Sequence, residues 1–249
     1  MDMETIKTKK SGYELVKIPG GTFMMGSPKN EKGRVHYEGP RHKVTVPDFY
    51  MGKYLVTNKQ YGLFLEEHPD VRKPYFWDNS DFNRPDQPVV GVRKMEAGLF
   101  GEWEGLWLPP ESQWEYACRA GSATRYYNGN TDEDLDRIGW YKNNSGGVTH
   151  PVGQKEPNVF GLFDMLGNAF EWVIDLFHDH YHGAPDDGMP WFEGFSIFGV
   201  IRGGAFFVES QFCRSAFRSE CRPDLPIDHI GFRLAVPAWF AEESGLAKA

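Results

Sequence analysis

Three thiols, a run of histidines and four arginines near the C-terminus are the residues of this chain best equipped for chemistry. Cys213 and Cys221 stand eight residues apart in "GGAFFVESQFCRSAFRSECRPD", and Cys118 lies far upstream. A thiolate binds soft metals or attacks electrophiles, but a free cysteine is equally at home as a small buried hydrophobe. An odd number cannot all pair, so reduced thiols are expected. In "DLFHDHYHGAPDD" the residues Asp175, His178, Asp179, His180 and His182 crowd together. On an extended strand the alternating imidazoles would face one side, which suits zinc, nickel or iron. The Gly-Ala-Pro-Asp that follows instead reads as the start of a solvated loop. Arg202, Arg214, Arg218 and Arg233 fit a bracing role, because a guanidinium can bond several loop carbonyls at once.

Other chemistries lack their residues. "GTFMMGS" has glycines but no Lys-Ser/Thr ending for a phosphate loop, and no Gly-x-Ser-x-Gly occurs. Acidic residues outnumber basic ones, 35 to 27, leaving a net charge of -8 and no basic surplus to neutralise nucleic-acid phosphates. No apolar run is long enough to span a bilayer, and the N-terminus shows no secretory h-region. A cytoplasmic location is expected from the sequence as written, with surface or secreted locations left open.

The elements that must position these residues are short. Aromatics at 15%, with 28 glycines and 17 prolines, predict many turns packed around flat rings. Residues 1–12 read as a polar tail and 238–249 as a C-terminal tail, flanking one domain over 13–237. Two short strands are expected around Pro19-Gly20-Gly21, and a strand over His42–Thr57. A helix begins at Thr57 or Asn58, where a cap precedes Tyr61, Phe64 and Leu65 on one face. A second spans Arg93–Glu104. A third lies within Leu108–Gly121, entered through Pro109-Pro110 and stopped at Gly121. Little helix is expected beyond. The fold class is α+β with much irregular loop.

Several separated stretches share a further likeness: "IPGGTFMMGS" at Ile18–Ser27, "GPRHKVTVPDFYMGKYLVTNKQYGLFL" at Gly39–Leu65, "LPPESQWEYACRAG", "HPVGQKEPNVFGLFDMLGNAFEWVID" at His150–Asp175, and "IRGGA…CRSAFR…IGFRLA" at Ile201–Ala235. In order and spacing they resemble the formylglycine-generating-enzyme (sulfatase-modifying factor) family, over about residues 13 to 237. The resemblance implies a variant of the C-type lectin fold, with a small antiparallel sheet, a few helices and long ordered loops. Fold alone does not decide function.

In that family the oxidases carry a serine after Gly-Gly and two cysteines that bind copper. The resemblance places Ala205 at the serine and Val208 at the first cysteine, leaving only Cys213 matched. Copper(I) favours paired soft ligands, and neither alanine nor valine supplies one, so copper is not expected. If the chain is an enzyme, Cys213 is its implied metal or substrate thiol. The family's structural calcium site maps onto Leu166, Gly167, Ala169 and Glu171. Carbonyls at a tight glycine turn plus one carboxylate would suit calcium. The opposing reading has Glu171 accepting hydrogen bonds from backbone or arginine in the core.

The aromatic excess then calls for a binding surface formed by Phe206 to Arg218 and Ser219 to His229. Rigid rings bring large contact area at low entropic cost. Phe206, Phe207, Val208, Phe212, Phe217, Ser219, Leu225, Ile227 and His229 are the candidate ligand-binding residues, although burial is the usual fate of phenylalanine. The anchors Arg202-Gly203-Gly204, Cys213-Arg214-Ser215-Ala216, Arg218 and Ile230–Ala235 are also similar to variable proteins of diversity-generating retroelements. The expected function is non-catalytic binding of a protein or other macromolecular ligand. The alternatives are a copper-dependent oxidoreductase and an inactive paralogue that partners one.

Overall fold

Alternation of apolar and polar residues, interrupted by glycine and proline every few positions, favours short strands joined by turns. The computed structural model, which describes residues 3–246, has that character. Its strands are Thr5–Lys7 (β1), Glu14–Ile18 (β2), Gly21–Met25 (β3), His42–Val46 (β4), Phe49–Gly52 (β5), Phe170–Leu176 (β6), Gly199–Arg202 (β7), Arg218–Cys221 (β8), Ile230–Phe232 (β9) and Ala235–Pro237 (β10). The helices are Asn58–Glu67 (α1), Lys94–Glu104 (α2), Glu111–Arg119 (α3), Asp132–Ile138 (α4) and Ala238–Glu243 (α5). One four-stranded sheet, β1-β2-β5-β10, is antiparallel throughout and joins the two ends of the chain. A hairpin pairs β3 with β4. A second four-stranded sheet runs β8-β7-β6-β9, and its β6–β9 pair is parallel, unlike the antiparallel arrangement expected.

The helix starts follow their caps. The Thr57 hydroxyl accepts from the Gln60 amide N–H at 3.3 Å, and the Gln60 side chain accepts from the Thr57 N–H at 3.0 Å, a reciprocal box. Tyr61 and Phe64 are buried, and Tyr61 stacks on Phe100 of α2 at 5.5 Å. For α3 the cap comes from far away: the Glu111 N–H donates to the Asp175 carboxylate of β6 at 2.7 Å.

Several expectations are corrected. The segment read as an N-terminal tail contains β1, which pairs residue by residue with β2 and buries Ile6. The C-terminal tail contains α5, with Ala238 and Ala241 buried. The strand expected over His42–Thr57 is two strands in different sheets, broken at Pro47-Asp48, where proline has no N–H for a ladder. Helix α4 lies in the region read as helix-poor. Its Thr131 hydroxyl accepts from the Asp134 N–H, and three acids occupy its first turn, where the helix dipole favours them. Helix α3 leaves the helical conformation one residue before the expected Gly121, at Ala120 (φ 45°).

Over the second sheet lie the loop from Gly203 to Phe217 and the loop from Arg222 to His229. The first turns at Gly203 and Gly204, both at positive φ (95° and 80°). A Cβ on Gly204 would stand 2.5 Å from the Cys213 sulfur, so only glycine lets the two segments close here.

Candidate functional site

The arginines flanking the C-terminal segment are wholly buried, each against at least one carboxylate. Arg202 donates to Glu115 at 2.5 Å and to the carbonyls of Ser215, Ala216 and Phe217. Arg214 forms a double contact with Glu38, bonds Glu31 at 2.7 Å, and also holds the carbonyls of Gln211 and Gly33. Arg218 grips Glu111 through Nε and Nη2 at 2.7 and 2.8 Å and reaches the carbonyls of Tyr37 and His178. Planar forks paired with carboxylates in a dry interior hold loops in one geometry. Bracing is what these arginines do.

On that frame sits a cleft of about 360 Å³. Seven of the nine candidate ligand-binding residues line it: Phe207, Val208, Phe212, Phe217, Ser219, Ile227 and His229. Phe207 is half-exposed at 43%, whereas Phe217 is nearly covered and forms floor. Burial holds the His229 imidazole below its ordinary value, opposed by Asp228, whose carboxylate lies 2.8 Å from Nδ1. The ring is therefore mostly neutral at pH 7.

Two candidates are elsewhere. Phe206 is buried against Phe82, with ring centroids 5.7 Å apart, and its carbonyl accepts from the Ser145 hydroxyl. Phe206 and Phe207 are the two central residues of a turn closed by the Val208 N–H on the Ala205 carbonyl at 3.2 Å, and that turn sends Phe207 to the cleft and Phe206 to the core. Leu225 is exposed at 42% but lies outside the cleft lining. The lining is completed by Tyr37, Phe170, Ile201 and Ile230, which lie outside the expected face, and by Glu220 and Cys221. Phe170 and Tyr37 belong to segments far from the C-terminal one. Glu220 and Cys221 lay inside the expected face, and β8 pairing carries them to its edge. Two further rings, Phe192 and Phe195 in the loop between β6 and β7, are exposed and do not line the cleft.

Cys213, the thiol matched to the copper position, has zero exposure. Burial pushes it up to about 12, so at neutral pH it is a sealed thiol and not a ligand facing solvent. Cys221 does border the cleft, yet burial and then Asp224 push it up to about 11. Glu171 is also fully buried, and Arg233 donates to its two oxygens at 2.7 and 2.8 Å while the Trp114 indole N–H donates at 2.9 Å. The Arg233 guanidinium thus engages both oxygens of the carboxylate. The arrangement is the arginine pairing set against calcium above. Leu166 and Ala169 are core side chains beside it, and Gly167 takes positive φ (83°) against the Trp140 backbone.

The histidine run does not converge. His178 stacks on Trp191 at 3.5 Å, and both of its ring nitrogens face backbone carbonyls, of Leu176 and Glu193. His180 and His182 are exposed. Among the described residues no group of three or more His, Cys, Asp or Glu side chains is placed to hold a metal ion. Among them too, no helix is long and apolar enough to cross a membrane.

A profile of the family described as "Sulfatase-modifying factor enzyme 1-like domain" matches residues 2–238. The formylglycine-generating enzyme of Mycobacterium tuberculosis is 28% identical over 292 residues, covering 88% of this chain and 96% of that protein. Among solved structures, PvdO from Pseudomonas aeruginosa matches with a TM-score of 0.85 at 33% identity, over 95% of this chain and 99% of that one. Treponema denticola variable protein 1 matches with a TM-score of 0.78 over 94% of this chain and 98% of its own, at 21% identity, a likeness of fold.

Proposed function

We propose, from the premise that this chain belongs to the sulfatase-modifying factor enzyme 1-like domain family, that it is a ligand-binding protein and not a copper oxidase. Its fold is the family's α+β, C-type lectin-like fold. The observation that carries the reading is the open aromatic cleft at the segment where the resemblance places copper chemistry. There the first cysteine's position is Val208, on the cleft wall, while Cys213 is sealed. Rigid rings around a hollow of this size suit a ligand bound by apolar contact with a few polar fixings.

Two measurements test it. The neutral fluorophore N-phenyl-1-naphthylamine should bind the protein, and Phe207→Ala should weaken that binding about tenfold, because the lost ring removes part of a ~1.5–3 kcal/mol burial gain. Failure of the probe to bind, or an unchanged affinity in the variant, removes the cleft from the account. Copper(I) titration in the presence of a thiol-bearing peptide should give no tight complex and no oxygen uptake. Copper-dependent oxygen consumption would establish the oxidoreductase reading instead. The variable-protein version makes a separate prediction about the locus: a reverse-transcriptase gene beside a near-copy of the segment encoding Arg202 to Arg233, differing mainly at adenines.

A further inference from the structure

We infer that the cleft is built for an organic cation, an alkylated ammonium group carried on an apolar body. The inference rests on the reading of the cleft as a binding site and adds the chemistry of what enters it. Its wall is an unbroken arc of rings. Phe212 meets Phe217 at 5.3 Å, Phe217 meets Phe170 at 6.3 Å, Phe170 meets His229 at 6.0 Å and His229 meets Phe207 at 4.4 Å. Each phenyl face carries the negative side of its quadrupole, and a cation held over several such faces is attracted by all of them.

Charge points the same way. Among the lining residues the one formal charge is the carboxylate of Glu220, and no lysine or arginine lines the cleft. Glu220 is exposed, and among the described residues it has no ion pair and no side-chain hydrogen bond. Its partner across the β7–β8 ladder is Val200, which carries no charge and sets the Glu220 Cβ on the face opposite Ser219 and Cys221, so Glu220 borders the cleft at the open edge of β8. Nearby Arg222 is engaged by Asp224 at 2.8 Å. The guanidiniums beneath are already neutralised, Arg214 by Glu31 and Glu38 and Arg218 by Glu111. Arg214 lies 5.8 Å from the Phe217 centroid, so that ring already serves one cation. The net charge of -8 adds a long-range field of the same sign. An anion would meet the Glu220 carboxylate with nothing to offset it. A neutral ligand would leave that carboxylate unused.

The test compares benzyltrimethylammonium with neopentylbenzene, the isostere in which carbon replaces the quaternary nitrogen, each displacing N-phenyl-1-naphthylamine from the full chain. The cation is expected to bind about tenfold tighter than its isostere. Glu220→Gln, at an exposed strand position, should narrow that ratio to about threefold, and raised salt should narrow it in wild type. Equal binding of the two probes, or a ratio untouched by Glu220→Gln, overturns the cation assignment while leaving the cleft as a binding site. If N-phenyl-1-naphthylamine itself does not bind, the underlying reading fails first and takes the cation with it.

Discussion

Arg233→Met is the sharpest test of how this structure is held together. Arg233 has zero exposure and spends its donors on four acceptors: the two oxygens of Glu171 and the carbonyls of Gly52 and Phe163. Methionine keeps much of the side chain's length and removes the fork. Glu171 would then keep only the Trp114 indole N–H, in a site with no access to water. Deleting one partner of a buried pair costs ~3–5 kcal/mol, because the other charge is left uncompensated. Against a total stability of about 5–15 kcal/mol, that is about a fifth or more of the whole. Urea unfolding followed by circular dichroism should show it as a lower midpoint. The double variant Arg233→Met/Glu171→Met should recover at least ~1 kcal/mol of the loss, since it removes the stranded charge. A single-variant loss below ~1 kcal/mol, or a double variant no more stable than the single, would refute the reasoning. The same assay separates the calcium reading of Glu171. Calcium at a hundredfold excess over its dissociation constant would add ~2.7 kcal/mol to a protein with a native site, and the ion-pair geometry predicts no difference between calcium and chelator.

Two further outcomes follow from buried titratable groups. Burial, then the nearby Glu111 carboxylate, push Asp175 up to about 7, with its two backbone N–H donors and Lys94 opposing. A raised carboxyl binds its proton more tightly when folded, so its contribution is full below the unfolded value and lost as pH rises through 7, by up to ~4 kcal/mol. Asp175→Asn should therefore flatten the decline in stability between pH 4 and 7, and an unchanged slope would contradict the assignment. Cys118 and Cys213, both pushed up to about 12 by burial, should resist 5,5′-dithiobis(2-nitrobenzoate) in the native protein, with Cys221 reacting slowly. All three should react in urea, and fast native labelling of Cys213 would mean it is not sealed.

What the chain reveals of itself is local. The Thr57 cap, the strands around Pro19-Gly20-Gly21 and the family's anchor motifs are written in neighbouring residues, where spacing and side-chain chemistry act directly. The expected aromatic face was legible as a stretch, and seven of its nine named residues do meet around one cleft. β1, α4 and α5 were harder to see. β1 and α5 are too short to show a period; β1 is held by its pairing with β2, and α5 by burial of Ala238 and Ala241 against β5 and β10.

The sequence by itself determined which residues are available to the site: alanine and valine in place of the serine and first cysteine, one cysteine matched, and phenylalanines and arginines around them. Only the tertiary structure decided their roles. Phe206 and Phe207 are adjacent and identical in type, yet one packs on Phe82 and the other borders the cleft. Arg214 finds Glu38 176 residues away, and Arg218 finds Glu111 107 residues away. A side chain's charge state, exposure and partner are set by what packs against it. In this fold those neighbours come from segments that meet only when the sheets and loops have closed.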